Sequence, residues 1–348
     1  MYSLLVDAGI LAVPPAETEH NNVHSYVQRL IDCGTLLDES WIALCMSYDA
    51  RDALFENGLY PLRPHLRRLF DENNVIEFDP NTVALVADKL LANVSSFEGS
   101  FGVTDVLTTD LPVEPDLLST YKPRCLLAHF ERCVVLAAVL KTQAEEPKVE
   151  HMLAPKSWTG TTEVLVDACI HEIEYSRADL DEVPIAPDEF EGSIALCQDF
   201  SELVPDIDEV AMWQSAQKDP LIARTAVKIA VYKSRIQRGM EPVWEDLPTF
   251  SLGAEFLDRT RRCCRVNPRA LLSRVLRAMV ETLDGLAMAD VHALRVAEGG
   301  GTPQKTRGRD KAFRRDIDTE YRLHYWDCHN GTTEFASVGP HNDFEIPE

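Results

Sequence analysis

The chain has 348 residues, 45% of them hydrophobic, and carries a formal net charge of -23 at pH 7. This composition supplies ordinary hydrophobic cores and excludes a wholly disordered chain. No apolar run approaches the ~18 residues of a membrane helix, and Asp7 interrupts the first apolar run, which argues against a signal peptide. Nine scattered cysteines without a C-x-x-C pair indicate reduced thiols. We therefore expect a cytoplasmic protein with no membrane association.

The first 145 residues alternate between strand-like and helix-like runs. The strand-like runs are YSLLV before Asp7, WIALCMS at 41–47 and VIEFD at 75–79. The helix-like runs are NVHSYVQRLIDC, which we expect Gly34 to stop, then ARDALFEN, and finally PNTVALVADKLLANV, which has Pro80 in its first turn. This order is typical of a parallel sheet covered by helices. Residues 1–145 are therefore predicted to form an α/β domain.

Residues 146–245 are predicted to form a mainly helical, acidic middle region. TTEVLVDACIHEIEY at 161–175 fits either a strand or a helix, and DPLIARTAVKIAVYKSRIQRG at 219–239 is a clear helix. Between them lies an acidic loop whose carboxylates belong to Asp179, Asp181, Glu182, Asp188, Glu189 and Glu191. This loop is either a mask for a basic region of the chain or a solvated linker.

Residues 246–348 are predicted to form a small α+β module. Two helices at 253–266 and 268–285 precede the strands VHALRV, FRRDI, YRLHYWDC and TEFASVG. Asn330-Gly331 between the last two alternating runs is a strong hairpin signal. The sheet of this module is therefore expected to be mainly antiparallel.

The basic residues are concentrated in this last module. Residues 259–322 contain fifteen Lys and Arg and eight Asp and Glu, so this window is +7 and the remainder of the chain is -30, which together give -23. Such a split suggests a basic module that binds a polyanion, attached to an acidic body that would repel one.

The strand YRLHYW places cations and an aromatic ring on one face. Arg322, His324 and Trp326 alternate with residues that are expected to face the core, so they share a face that is expected to clamp a phosphate and stack a base. RNA cleavage without a metal needs a base, an acid and cations around the phosphorane. In the alternative interpretation, Arg314, Arg315 and Arg322 only pair with the neighbouring acids on a solvated face.

The run from HALR through the Gly-rich basic loop to FRRDIDTEYRLHYW and TEFASVGPHNDF resembles the RelE/HigB/ParE-like toxins of the barnase–EndoU–colicin–RelE ribonuclease group. The resemblance covers about residues 245–348 and implies a cofactor-free endoribonuclease in a toxin–antitoxin or antiviral defence setting, with RNA or another nucleic acid as substrate. The catalytic candidates that it implies are Lys305, Arg307, Arg314, Tyr321, Arg322, His324 and His341. The nucleic-acid-binding candidates are His292, Arg295, Arg309, Lys311, Arg315 and Trp326. The alternative is a non-catalytic subunit that binds nucleic acid or a protein partner, such as an antitoxin.

The acids of the N-terminal domain resemble those of a PIN-type nuclease. Asp7 ends the first strand, and Asp105 lies in GVTDVLTTD. The resemblance implies a PIN-like parallel sheet whose carboxylates hold Mg²⁺ or Mn²⁺ at the strand ends, with Asp7 and Asp105 as the metal ligands. If these acids do not converge, the domain is a binding scaffold. His20 and His24 share one helix face and are expected to be ordinary surface residues.

Overall fold

The computed structural model describes residues 2–15, 18–108, 113–142, 149–154, 163–175, 189–216, 219–263, 268–297 and 301–347. The chain divides into two compact units, Met1–Leu203 and Val204–Glu348. This differs from the three regions expected from the sequence, because the strands of region 146–245 join the first sheet and its long helix belongs to the second unit. Most of the acidic loop, at 176–188, lies outside the described residues.

The first unit is built around a mixed sheet. Its strands are β1 (Tyr2–Val6), β2 (Ile42–Met46), β3 (Ser95–Ser96), β4 (Val103–Thr108), β5 (Val113–Glu114), β6 (Val149–Leu153), β7 (Glu163–Tyr175) and β8 (Glu189–Cys197). Their order is β3-β2-β1-β6-β8-β7-β4, and β5 pairs with β7. β1 is parallel to β2 and β6, whereas β7 is antiparallel to β8 and β4. The α/β class is confirmed, but the sheet is not parallel throughout.

Seven helices are described in the first unit. They are α1 (His20–Asp38), α2 (Ala50–Glu56), α3 (Arg63–Glu72), α4 (Pro80–Asn93), α5 (Phe97–Phe101), α6 (Leu117–Thr120) and α7 (Leu127–Thr142). α7 is apolar around most of its circumference, with buried residues at every position from Cys133 to Leu140. A helix without a polar face is stable only where it is enclosed, and α7 lies against β1, β6, β7 and β8. It is the central helix of this unit.

Two local predictions in this unit are wrong. VIEFD at 75–79 is not a strand but part of the connection between α3 and α4, and Ile76 in it is 89% exposed, so burial does not support an extended strand there. Gly34 does not stop α1, which continues to Asp38. The apolar stripe of α1 continues past the glycine to Leu36, so packing outweighs the low helix propensity of glycine.

The second unit contains five helices and six strands in its described part. The helices are α8 (Phe200–Asp206), which begins before the boundary, α9 (Glu209–Ser215), α10 (Pro220–Gln237), α11 (Phe256–Cys263) and α12 (Pro268–Leu283). The strands are β9 (Phe250–Leu252), β10 (Val291–Ala293), β11 (Thr306–Arg307), β12 (Asp310–Asp316), β13 (Tyr321–Asp327) and β14 (Thr333–Pro340). Their order is β10-β12-β13-β14-β9, with β11 also paired to β12. The mainly antiparallel sheet is confirmed, and β9 adds one parallel pair that the sequence analysis missed.

Each face of this second sheet is covered. α12 lies against β12, β13 and β14, on the face where the rings of Phe313 and Tyr325 stack with centroids 5.7 Å apart. On the opposite face Trp326 belongs to a buried cluster, against which Phe344 and Ile346 pack. The end of the chain therefore contributes to the second core.

The described cysteines are free thiols, and four of them are buried: Cys33, Cys45, Cys133 and Cys197. Within the described ranges, no helix has both the length and the apolar character needed to cross a bilayer.

Candidate nucleic-acid interface

The face of β13 that was expected to contact nucleic acid is buried. His324 is inaccessible and Trp326 is 2% exposed. The C-terminal segment, defined as residues 341–347, covers them: Phe344 packs on the cluster around Trp326, and the indole Nε1 donates to the carbonyl of Pro347 at 2.9 Å. The expectation of an open clamp is therefore wrong, because the segment supplies apolar cover that strand alternation alone does not reveal.

His324 is held neutral by its surroundings. Burial lowers its pKa to about 4, although the carboxylate of Asp343 and the backbone of Glu345 act in the opposite direction. Its Nδ1 lies 3.3 Å from Ser337 Oγ. Its Nε2 has no hydrogen bond of standard geometry to the described residues. A buried, neutral imidazole does not serve as the general acid of RNA cleavage in this conformation.

Two of the predicted arginines have structural partners. Arg315 is fully buried and donates to Glu281 Oε2 at 3.1 Å and to the carbonyl of Leu286 at 2.5 Å, both at the end of α12. Arg322 Nε lies 2.6 Å from Asp316 Oδ1. The alternative interpretation therefore describes the pairing of Arg322 but not its setting, because Arg322 is buried and not on a solvated face. It describes Arg315 only in part, since its acidic partner comes from a helix and not from the neighbouring strand.

Arg307 and Arg314 differ in how their charges are satisfied. Arg307 donates to Glu334 Oε2 at 2.9 Å and to Asp310 Oδ2 at 3.2 Å, and these hydrogen bonds raise its pKa. Arg314 places its guanidinium 5.5 Å from the centroid of the Phe344 ring. Its buried Nε and Nη1 have no hydrogen-bond partner in the part of the chain that the structure describes. Among the described residues, Arg314 therefore has fewer hydrogen-bond partners for its guanidinium than Arg307 has.

The remaining catalytic candidates lie nearer the surface, on different parts of the sheet. Lys305 and Tyr321 are partly exposed, and His341 is exposed after the end of β14. His341 is anchored in a turn: its backbone N–H donates to the carbonyl of Glu320 at 2.7 Å, and its Nδ1 lies 2.7 Å from Asn342 Oδ1. The structure does not assemble the seven predicted catalytic residues into one open site.

One edge of the second sheet carries several accessible basic side chains. β10 and β11 both pair with β12, an isolated bridge joins Arg295 to Gln304, and Gly308 turns the β11–β12 hairpin with a φ of 62°. The side chains of this basic edge are His292, Arg295, Lys305, Arg309 and Lys311, all exposed or partly exposed. Arg295 donates to the carbonyl of Thr302, and no residue of the edge has an ion pair with the described residues. The edge therefore contains four of the six residues that were predicted to bind nucleic acid, all except Arg315 and Trp326, together with the catalytic candidate Lys305.

In the first unit, Asp7 follows β1, which is flanked by the parallel strands β2 and β6 on its two sides. It is fully buried, and its carboxylate accepts from the hydroxyl of Tyr121 at 2.7 and 3.0 Å. Burial raises its pKa to about 7, against the lowering effect of the hydrogen bonds. Asp7 is therefore not a freely accessible anion.

Asp105 lies far from Asp7 in the strand order, on β4 at the edge of the sheet. Its Oδ1 accepts from the backbone N–H of Val106 at 2.9 Å. It lines a cavity of about 340 Å³ together with Glu98, Arg132 and apolar residues of α5 and α7. Among the described residues, the one group of three potential metal ligands excludes both Asp7 and Asp105. A Mg²⁺ or Mn²⁺ ion at these two acids stays a prediction.

A polar cluster beside the ends of β2 and β3 was missed by the sequence analysis as a group. Asp49 lies 3.3 Å from His129 Nδ1 and 3.5 Å from Arg132 Nη1, and Arg132 also donates to Ser47 Oγ at 3.1 Å. Burial lowers the pKa of His129, although Asp49 opposes it. No spacing signal in the sequence joins Asp49 to α7, because Arg132 lies 83 residues later.

The resemblances to RelE-like toxins and to PIN-type nucleases stay predictions. Comparison of the chain with protein-family models, with curated proteins and with solved structures finds no match.

Proposed function

We propose that the C-terminal unit binds the phosphate backbone of RNA through the basic edge, as a reader of RNA and not as an open nuclease. The observation that carries this proposal is that the cations of this edge have no ionic partner among the described residues, whereas most other cations of residues 259–322 are paired. The paired residues are Arg259, Arg261, Arg274, Arg277, Arg307, Arg315 and Arg322. Cations without ionic partners along one sheet edge can replace the counterions of a phosphate backbone.

This mode of binding depends on phosphates more than on bases. Trp326, the aromatic residue expected to stack on a base, is buried, so the basic edge offers charge without a stacking platform. We therefore expect weak sequence preference and a steep loss of affinity with salt. RNA is the polyanion that the resemblance to RelE-like toxins implies.

A second candidate function, metal-independent endoribonuclease activity, is favoured by Arg314 and His324. These residues are directly opposite each other across β12 and β13. Buried polar nitrogens normally have hydrogen-bond partners, yet Arg314 Nε and Nη1 have none among the described residues. His324 Nε2 has none of standard geometry there, and the backbone of Glu345 is its nearby polar group. Displacement of the C-terminal segment would offer these nitrogens to a phosphate. In a toxin or defence setting, a protein partner or antitoxin would control that displacement.

Binding by the full-length chain to a fluorescein-labelled single-stranded RNA, measured by anisotropy over a salt series in EDTA, tests the first proposal. The variant K305Q/R309Q/K311Q removes three charges from the basic edge. The matched control R259Q/R261Q/R277Q removes three paired charges from α11 and α12. We expect the edge variant to lose about tenfold or more in affinity at low salt and to show a salt dependence shallower by about two ions.

The control variant is expected to bind nearly as well as the unmodified chain. Equal losses of RNA affinity in both variants would show that overall charge, and not the basic edge, determines binding. Absence of RNA binding at low salt would exclude the proposal. Gel analysis of the same samples separates the two candidate functions, because a reader leaves the RNA intact.

A further inference from the structure

We propose that His20, His24 and Glu77 form a binding site for a late first-row divalent cation such as Zn²⁺. His20 begins α1 and His24 lies about one turn later, so both imidazoles lie on one helix face, with ring centroids 4.6 Å apart. Glu77 comes from the connection between α3 and α4, 53 residues after His24. The site is separate from the basic edge and independent of the proposed RNA binding.

The ligand atoms are close enough for one ion. One nitrogen from each histidine and one carboxylate oxygen of Glu77 all lie within 4.8 Å of one another. His24 Nε2 and Glu77 Oε2 are 3.3 Å apart, which matches the separation of about 3.3 Å between two ligands of a tetrahedral ion with bonds near 2.0 Å. The third ligand atom lies within 4.8 Å of both, and its approach to the same distance requires side-chain rotation.

The surrounding backbone orients two of the ligands. His20 Nδ1 lies 2.8 Å from the carbonyl of Asn73, so the Nδ1–H donates and Nε2 keeps its lone pair, an outer-shell arrangement common among metal-binding histidines. Glu77 Oε2 accepts from the N–H of Ile76 at 3.0 Å.

The donor set selects the class of cation. Two imidazoles and one carboxylate suit Zn²⁺, Co²⁺ or Ni²⁺, whereas Mg²⁺ and Ca²⁺ prefer all-oxygen ligands. Three protein ligands leave one tetrahedral position for water or for an exogenous group. His20 and Glu77 are exposed and His24 is partly exposed, so an ion can enter directly from solvent. A bound ion would link the start of α1 to the α3–α4 connection.

Isothermal titration of the EDTA-treated and desalted full-length chain with Zn²⁺ tests the site. The variants H24Q and E77Q remove one ligand each, and H65Q is the matched control, since His65 is an exposed histidine of α3 outside the group. Because exposed thiols such as Cys125 also bind Zn²⁺, the readout is the difference between variants. We expect H24Q and E77Q to lose one equivalent of binding or at least tenfold in affinity.

Two further measurements separate a lost site from a damaged fold. Without metal, the thermal midpoints of all variants should agree, whereas added Zn²⁺ should raise the midpoint of the unmodified chain and of H65Q but not of H24Q. Co²⁺ should give the strong visible bands of a four-coordinate ion in the same two proteins. Identical stoichiometry and affinity in the unmodified chain, H24Q and E77Q would overturn the proposal.

Discussion

Tyr121 donates its phenolic hydrogen to the carboxylate of Asp7, with an oxygen–oxygen distance of 2.7 Å to Oδ2. Both side chains are inaccessible to solvent. Burial is the largest influence on Asp7 and raises its pKa to about 7, whereas the hydrogen bonds from Tyr121 and from the backbone of Gly9 lower it. The end of β1 therefore holds a carboxyl group that is partly protonated near neutral pH.

The variant D7N is expected to remove a pH dependence of stability. In the folded chain Asp7 ionises near pH 7, and in the unfolded chain near its ordinary value of 3.8. The contribution of protonated Asp7 to the free energy of unfolding is therefore fully present below about pH 4 and is lost as the pH rises to about 7. Asn stays neutral, so D7N should be more stable than the unmodified chain by ~2–4 kcal/mol at about pH 8 and nearly equal to it at about pH 4. Urea denaturation over this pH range measures the difference.

The variant Y121F is the companion measurement. It removes the donor, so the free energy of unfolding should fall by ~1–3 kcal/mol, and the pKa of Asp7 should rise further because that hydrogen bond lowers it. If D7N and the unmodified chain have parallel stability curves between about pH 4 and pH 8, Asp7 is ionised throughout and the argument from burial fails.

Arg315 is expected to be a stability residue. Its guanidinium is fully buried between Glu281 and the carbonyl of Leu286, so the variant R315M leaves a partly exposed carboxylate and helix-end carbonyls without a donor. We expect a loss of ~2–4 kcal/mol in the free energy of unfolding, below the range for fully buried pairs because Glu281 is 28% exposed. The control R309M changes an exposed cation and should stay within ~0.5 kcal/mol. Equal losses in the two variants would contradict this role.

Gly331 is expected to be required by the β13–β14 hairpin. Its φ is 83°, a conformation in which a side chain costs ~1–2 kcal/mol. The variant G331A should lose this amount in denaturant unfolding. Gly301 is the matched control, because its φ is not in the left-handed region and an added Cβ meets nothing within 4 Å. A loss in G301A as large as in G331A would show that backbone conformation is not the cause.

The C-terminal segment is expected to close the Arg314–His324 face. The variant F344A/I346A removes the two apolar side chains that pack on this face, so the pKa of His324 should rise from about 4 toward its ordinary value of 6.5 as burial is relieved. Histidine NMR titration measures this shift. If the ribonuclease candidate is correct, RNA cleavage in EDTA should also increase over the unmodified chain. The variant I236A, at an exposed residue of α10, should change neither readout, and an unchanged pKa in F344A/I346A would show that the segment does not bury His324.

The sequence by itself determined the elements whose signals are local. Period-two alternation and Asn330-Gly331 predicted β13, β14 and the turn between them, and the N-capping Asp79 before Pro80 agrees with the predicted start of α4. Apolar strands alternating with helices predicted the α/β class, although not the antiparallel strands of the first sheet. Each of these signals depends on a few neighbouring residues, so no distant contact is needed to interpret it.

Tertiary structure alone decided which charged side chains are accessible. Alternation showed that Arg322, His324 and Trp326 share a face, but only the return of the chain end over β13 buried that face. In the same way, His24 meets Glu77 because α1 lies beside the connection into α4. Contacts between residues far apart in sequence depend on how elements pack, and no periodicity within one element encodes the element that will cover it.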